Sequence, residues 1–237
     1  MSSWWKEGSK GAEVLVLGAH PDDAELMVGG TIAKLRNEGR SVIVADCTLA
    51  ELSTNGTVEV RKRETENASK ILGLTNRVNL EFKDGYLNRE ENLLDSIVSL
   101  VRTVKPKLIL GPPPVCRHPD HQSLSRVLKD AIFFSGLKKY MPEIPHVKRP
   151  KLHYYVEVAN ETPDYCIDIS SFFDVKMQAI LSYKSQFEQT ESTEETFINS
   201  GFVSWIERRC VEWGERLGVK YAEPFKSDAP ILLESPL

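Results

Sequence analysis

The sequence predicts an α/β fold, a Rossmann-like, mostly parallel sheet flanked by helices and followed by a C-terminal α/β extension. Three observations carry this expectation. Short uninterrupted apolar runs alternate with segments of helical period through the first half, as doubly buried strands and their crossover helices do. Glycines close several of these segments, as at Gly18, Gly39 and Gly73. The chain has 237 residues, 41% of them hydrophobic and 27% charged. A chain of that length buries about 70% of its unfolded surface, enough for one large core without disulfide staples.

Taken in order, residues 13–18 (Glu-Val-Leu-Val-Leu-Gly) read as a strand buried on both faces. In residues 29–39, Ile32, Ala33 and Leu35 fall at helical spacing before Gly39. Residues 41–46 form a second apolar strand and 59–72 a helix. Residues 77–82 are strand-like, 93–104 amphipathic, and 107–111 a further buried strand running into three prolines. After about residue 148 the pattern changes. Residues 152–158 and 165–169 alternate like strands, 172–185 and 202–217 are helical, and 188–196 is the most polar, loop-like stretch. The expected organisation is a single domain over 1–237, with an arm at 1–12, a Rossmann-like half at 13–150 and an extension at 151–237.

Charge and composition exclude several function classes. With 30 Lys+Arg against 34 Asp+Glu the chain has no basic stripe for a nucleic-acid backbone. No apolar run approaches the ~20 residues that cross a bilayer, and the amino terminus lacks a charged segment followed by an apolar one. The expectation is a cytoplasmic protein with no membrane and no nucleic-acid partner. Cys47, Cys116, Cys166 and Cys210 form no Cys-x-x-Cys pair, which predicts reduced thiols rather than a disulfide framework or a thiolate metal site.

Chemistry concentrates in two turns. His20-Pro21-Asp22-Asp23-Ala24-Glu25 follows the first strand, where a parallel sheet presents its ligands. The adjacent aspartates point in different directions, so one can bind a metal while the other faces a bound water. Arg117-His118-Pro119-Asp120-His121 follows the strand at 107–111. With His118 as N-cap and Pro119 as first helical residue, His118 and His121 face the same space. Pro and Asp at helix starts also serve as ordinary caps. Yet three of the five histidines lie in these two Pro-Asp turns, which favours a mononuclear metal site. One carboxylate and two imidazoles would hold the ion, leaving another carboxylate as base and another imidazole as electrophile.

The pair Ala-His-Pro-Asp-Asp-Ala-Glu and His-Pro-Asp-His resembles the LmbE-like (PIG-L) family of zinc-dependent deacetylases acting on N-acetylglucosaminyl compounds. The segment 48–61, Lys176-Met177-Gln178-Ala179, residues 183–187 and Tyr221-Ala222-Glu223-Pro224-Phe225 resemble the bacillithiol-biosynthesis deacetylases within it. The similarity spans about residues 13–233. It implies that His20, Asp23 and His121 bind Zn2+, that Asp22 is the general base, and that His118 stabilises the developing oxyanion. It further implies that Arg61 holds the sugar or its aglycone, although the charge run around Arg61 also suits a solvated helix face. Arg117 is a second candidate clamp for a carboxylate. Ser53 and Asn55 are expected as further substrate contacts. Tyr86, Tyr155 and Tyr183 are open candidates for a catalytic tyrosine. Residues 25–30 and the proline loop at 112–116 depart from the family's usual sequence, which bears on pocket shape more than on the reaction.

The resemblance implies hydrolysis of the acetamide of N-acetylglucosaminyl malate to glucosaminyl malate and acetate. The alternative is the same chemistry on a chitin disaccharide or another N-acetylglucosamine conjugate. Such sites also accept iron, cobalt or manganese. The implied assembly is a homo-oligomer, for which a hexamer is one expected form. A nicotinamide-dependent oxidoreductase is disfavoured, because the first turn lacks Gly-x-Gly-x-x-Gly and carries two carboxylates that would repel a pyrophosphate.

Overall fold

The computed structural model describes residues 11–156, 162–191, 193–196 and 198–232. The chain runs β1 (Val14–Gly18), α1 (Asp23–Asn37), β2 (Val42–Thr48), α2 (Val58–Ile71), β3 (Asn76–Phe82), α3 (Leu93–Val104), β4 (Leu108–Gly111) and α4 (Pro119–Ser135). It continues through β5 (Lys151–Tyr155), β6 (Tyr165–Asp168), α5 (Phe173–Leu181) and the single turn α6 (Lys184–Phe187). A π-helical turn, Ile198–Phe202, leads into α7 (Val203–Leu217), and β7 (Ala222–Ser227) follows.

These strands make one sheet in the order β3-β2-β1-β4-β5-β7-β6. β1 to β5 pair in parallel, and β7 inserts antiparallel between β5 and β6. The C-terminal extension therefore continues the same sheet. The chain winds from β1 outward to β2 and β3, then crosses back to place β4 on the other side of β1. That reversal opens a crevice at the carboxyl ends of β1 and β4, the place where ligands bind in open α/β sheets.

Strand alternation sorts side chains into two layers. Leu15, Leu17, Ile43 and Ala45 pack on α3 and α4 through Ile97, Leu100 and Leu128. Val14, Val16, Val42 and Val44 face Ile32 of α1 and Ile180 of α5 on the opposite side. No helix among the described residues is long and apolar enough to cross a membrane.

The helix expected at 29–39 begins at Asp23 and is broken at Val28 (φ −135°, ψ 17°). The break is held by a fully buried pair from the C-terminal half, Lys176 and Glu223, whose Nζ and Oε1 lie 2.6 Å apart. Lys176 Nζ donates to the carbonyls of Glu25 (3.2 Å) and Leu26 (2.8 Å), which the broken ladder leaves free. Glu223 accepts from the N–H groups of Gly30 (3.0 Å) and Thr31 (2.7 Å) on the far side of the break. A Cβ at Gly30 would come within 2.7 Å of Ile169, so only glycine admits this packing.

Other boundaries also differ from expectation. The helix expected at 172–185 is split into α5 and α6. β5 is described to Tyr155, and the remainder of the strand expected to 158 falls partly outside the described residues, as do 1–10 of the arm and 233–237. The sequence does not announce β7, because Pro224 interrupts the strand pattern.

Candidate metal centre and its cavity

The turns after β1 and β4 meet across the crevice, and their histidine rings form a compact group. The centroids lie 4.5 Å apart for His20–His118, 5.4 Å for His20–His121 and 5.0 Å for His118–His121. Asp23 Oδ2 lies 3.2 Å from His121 Nε2 and 3.7 Å from His20 Nδ1, and accepts the His20 backbone N–H at 2.9 Å. Ligand atoms at the corners of a tetrahedral site with bonds near 2.0 Å are separated by about 3.3 Å. Asp23 Oδ2 thus stands at that spacing from His121 Nε2 and at a slightly wider one from His20 Nδ1, as a carboxylate sharing an ion with either imidazole would.

Two overlapping donor groups lie close to this set: His20, His118 and His121, and His20, Asp84 and Asp120. In the second, His20 Nε2 faces Asp84 Oδ1 at 3.1 Å and Asp120 Oδ2 at 3.6 Å. Those carboxylates are tied to backbone N–H groups. Asp84 accepts from Leu52 (3.1 Å), and Asp120 from Gly85 (2.7 Å) and Leu87 (3.1 Å). They are placed to hold the ring of His20 so that Nδ1 turns toward Asp23, the carboxylate support that metal-ligating histidines usually have. His121 has a softer neighbour, Cys116 Sγ, 3.3 Å from its Nδ1. The same sulfur accepts the His118 N–H at 3.3 Å.

The two turns are made differently. His118 is the N-cap of α4, its Nδ1 accepting the Asp120 N–H at 3.2 Å with Pro119 at the first helical position, as the sequence predicts. Asp22 caps α1 at φ 111°, ψ −26°, a backbone region that L residues rarely occupy. This twist separates the adjacent aspartates. Arg61 fastens it, donating from Nη2 to the Pro21 carbonyl and, at 3.0 Å, to Asp22 Oδ2. Arg61 is only 3% exposed, and its Nε and Nη1 find no hydrogen-bond partner among the described residues. Beneath its guanidinium, 5.4 Å from the carbon, lies the Tyr183 ring, whose hydroxyl reaches Glu25 Oε1 at 3.3 Å.

Electrostatics differ between neighbours. Burial pushes the Asp22 carboxyl up to about 7, against the pull of Arg61 and with the push of Asp23. Asp23 is also raised by burial, but His121 and His20 outweigh it and hold the carboxyl well below the usual range. Burial lowers His118, helped by His20 and His121. Burial also works to lower His20, yet Asp120, Asp23 and Asp84 hold it well above its ordinary value.

Above this floor opens a cavity of about 740 Å³. The expected substrate residues are placed unequally. Ser53 and Arg117 line the cavity, Arg117 exposed on the His118 turn. Arg61 also lines it, though committed to Pro21 and Asp22. Asn55 is not among the lining residues. Its side chain exchanges two hydrogen bonds with the backbone of Glu194, both at 2.9 Å, and its carbonyl accepts from Gln186 at 2.7 Å. The amide is occupied in fastening a loop, which accounts for its absence from the surface. Tyr86, Tyr155 and Tyr183 do not line the cavity either; Tyr155 is buried with its hydroxyl 3.3 Å from the Leu17 carbonyl. Sequence reasoning missed Asp84, the positioning geometry of Asp120 inside its motif, and the apolar wall of Ile198, Phe202 and Trp205. Asp84 had one usable signal, its position just past the carboxyl end of β3.

A histidine and carboxylate donor set at the switch point of a mostly parallel sheet defines the class: an α/β protein with a candidate centre for one divalent metal. The family model for GlcNAc-PI de-N-acetylase (PIG-L) matches residues 15–132, and the chain belongs to this family, whose curated relatives and structural neighbours include deacetylases, that is, amide hydrolases. A diacetylchitobiose deacetylase of Thermococcus kodakarensis is 31% identical over 227 residues, covering 89% of this chain and 81% of that protein. A probable N-acetyl-α-D-glucosaminyl L-malate deacetylase 2 of Bacillus cereus is 30% identical over 193 residues, covering 74% and 84%. Among solved structures, a conserved protein from Thermus thermophilus superposes with a TM-score of 0.86 at 35% identity, covering 94% of this chain and 97% of that one.

Proposed function

We propose that the chain is a zinc-dependent N-deacetylase that hydrolyses the acetamide of an N-acetylglucosaminyl conjugate to acetate and a free amine. The carrying observation is the approach of His20 Nδ1 and His121 Nε2 to Asp23 Oδ2 beside Asp22 at the cavity floor. Bound among His20, Asp23 and His121, a divalent cation would supply a Lewis acid for the acetyl carbonyl and acidify a water.

Asp22 takes the proton as water attacks the acetyl carbon and returns it to the departing amine. Arg61 holds the carboxylate and its twisted backbone in place. His118 Nδ1 accepts the Asp120 N–H, so the neutral ring carries its proton on Nε2. That N–H donates to the oxyanion of the tetrahedral intermediate.

The malate conjugate is the leading substrate. It is supported by the naming of the Bacillus relatives and by Arg117, whose exposed side chain lines the cavity and can pair with a malate carboxylate. A disaccharide is the second reading, supported by the Thermococcus relative and by the apolar wall of the cavity. The test is acetate release by protein stripped of metal and reloaded with Zn2+, offered N-acetylglucosaminyl malate, diacetylchitobiose and free N-acetylglucosamine. Metal-dependent release from at least one of them is expected. No release from any, with zinc, cobalt, iron or manganese, would overturn the proposal.

A further inference from the structure

The turn between α5 and α6 carries an aromatic ring to the underside of Arg61. Tyr183 is fully buried and outside the cavity lining, yet its ring centroid is 5.4 Å from the Arg61 guanidinium carbon, within the ~6 Å reach of a cation–π contact. Glu64 brings the two together. It stands three residues beyond Arg61 on α2, and its carboxylate accepts the Ser185 N–H and the Ser185 hydroxyl, both at 2.7 Å. Its carbonyl accepts the Ser182 hydroxyl at 3.4 Å. The turn that carries Tyr183 is thus fastened, on both sides of the tyrosine, to the helix that carries Arg61.

The ring is also held at its far end. Its hydroxyl reaches Glu25 Oε1 at 3.3 Å, and the fully buried Glu25 pairs with Arg77. Arg77 in turn donates to both oxygens of Asp46, at 2.7 and 2.9 Å. Side chains from α1, β2 and β3 therefore fix the hydroxyl, while α2 fixes the backbone.

Arg61 needs such a partner. Its two acceptors, the Pro21 carbonyl and Asp22 Oδ2, both take Nη2, whereas Nε and Nη1 are buried without a hydrogen-bond partner among the described residues. A guanidinium tethered through one nitrogen can swing about it. The face of a tyrosine ring attracts a cation without demanding a hydrogen-bond direction, and the attraction is strongest where both groups are out of water. An aliphatic side chain could fill the same space but would leave the buried cation facing nothing of opposite sign.

We propose that Tyr183 is a positioning residue for deacetylation: its ring, fastened to α2 through Glu64, holds Arg61 on the Pro21 carbonyl and the Asp22 carboxylate and so keeps the base aimed into the cavity. The inference rests on the reading of Asp22 as base given above.

The experiment uses full-length protein with Zn2+, assayed for acetate release on whichever of N-acetylglucosaminyl malate, diacetylchitobiose and N-acetylglucosamine it turns over fastest. Tyr183→Leu and the longer Tyr183→Met remove the ring, and Tyr183→Phe keeps it. Circular dichroism and thermal melts select the aliphatic variant that folds. That variant should lose about tenfold or more in kcat with KM and zinc stoichiometry unchanged, and Tyr183→Phe should stay within about threefold of wild type. In an Arg61→Ala background the aliphatic change should cost nothing further. Glu64→Ala, which loosens the turn and leaves the ring in the chain, should lower kcat in the same direction, again only while Arg61 is present. Independently of turnover, the ring current should displace the Arg61 Nε–H proton resonance of metal-free protein in wild type and Tyr183→Phe, and not in the aliphatic variant. Wild-type kcat without the ring, an equal loss in Tyr183→Phe, or a loss that persists in Arg61→Ala protein overturns the positioning role and leaves the deacetylase reading intact. No acetate from wild type on any of the three sugars overturns both.

Discussion

The turns after β1 and β4 place their groups at the same sheet edge by opposite means. The second is a regular helix start, with His118 capping, Pro119 in the first turn and α4 unbroken behind it. The first holds Asp22 in a strained conformation, and the helix behind it breaks six residues later, at Val28. The contrast follows from what each turn presents. His118 and His121 already share a side of the helix start, whereas Asp22 and Asp23 are consecutive, and only a twist between them gives adjacent carboxylates separate surroundings. Strain of this kind costs about 1–3 kcal/mol and persists where neighbours hold it, here Arg61.

If both turns supply metal ligands, His121→Ala should abolish stoichiometric zinc and lower kcat/KM by about a thousandfold or more, read by metal analysis and acetate release. Asp22→Asn separates the roles within the first turn: zinc stays bound while kcat falls by about 10²–10⁴-fold. Normal turnover in that variant would remove Asp22 as base. The break in α1 makes the first turn depend on distant residues. Lys176→Ala should cost about 3–5 kcal/mol in thermal or denaturant unfolding, because Glu223 is left buried and unpaired. Asp84→Asn should weaken zinc binding about 10–100-fold in a chelator competition by loosening His20. The smallest effect belongs to the regular turn: Pro119→Ala should lower stability by about 0.4–1 kcal/mol. A larger loss there than in Lys176→Ala would invert the comparison.

Much of this arrangement is legible in the sequence because it is local. Apolar runs announce β1, β2 and β4, and the spacing from His118 to His121 shows which side of a helix start they share. What stays hidden depends on partners distant in sequence. The break at Val28 needs Lys176 and Glu223, and the burial of Arg61 needs Pro21 and Tyr183, so the charge run suggests a solvated face, which Glu59, Lys62, Arg63 and Glu66 do form while Arg61 turns inward. Asp84 lies 64 residues from the histidine it supports, and only its place just past the carboxyl end of β3 marks it in the sequence. Asn55 is polar, in a promising segment, and turned instead to the backbone of Glu194.

The Lys176–Glu223 pair also sets an order of events during synthesis. The N–H of Gly30 waits for a carboxylate 193 residues further along the chain. At about 5–20 residues per second, that wait lasts roughly 10–40 s after Gly30 is added. Until Glu223 is available, the N–H groups of Gly30 and Thr31 lack the carboxylate that holds the break at Val28. The earliest part of the chain to be made is therefore among the last to be completed, and a nascent protein lacking β7 has its metal-site turn without its final brace.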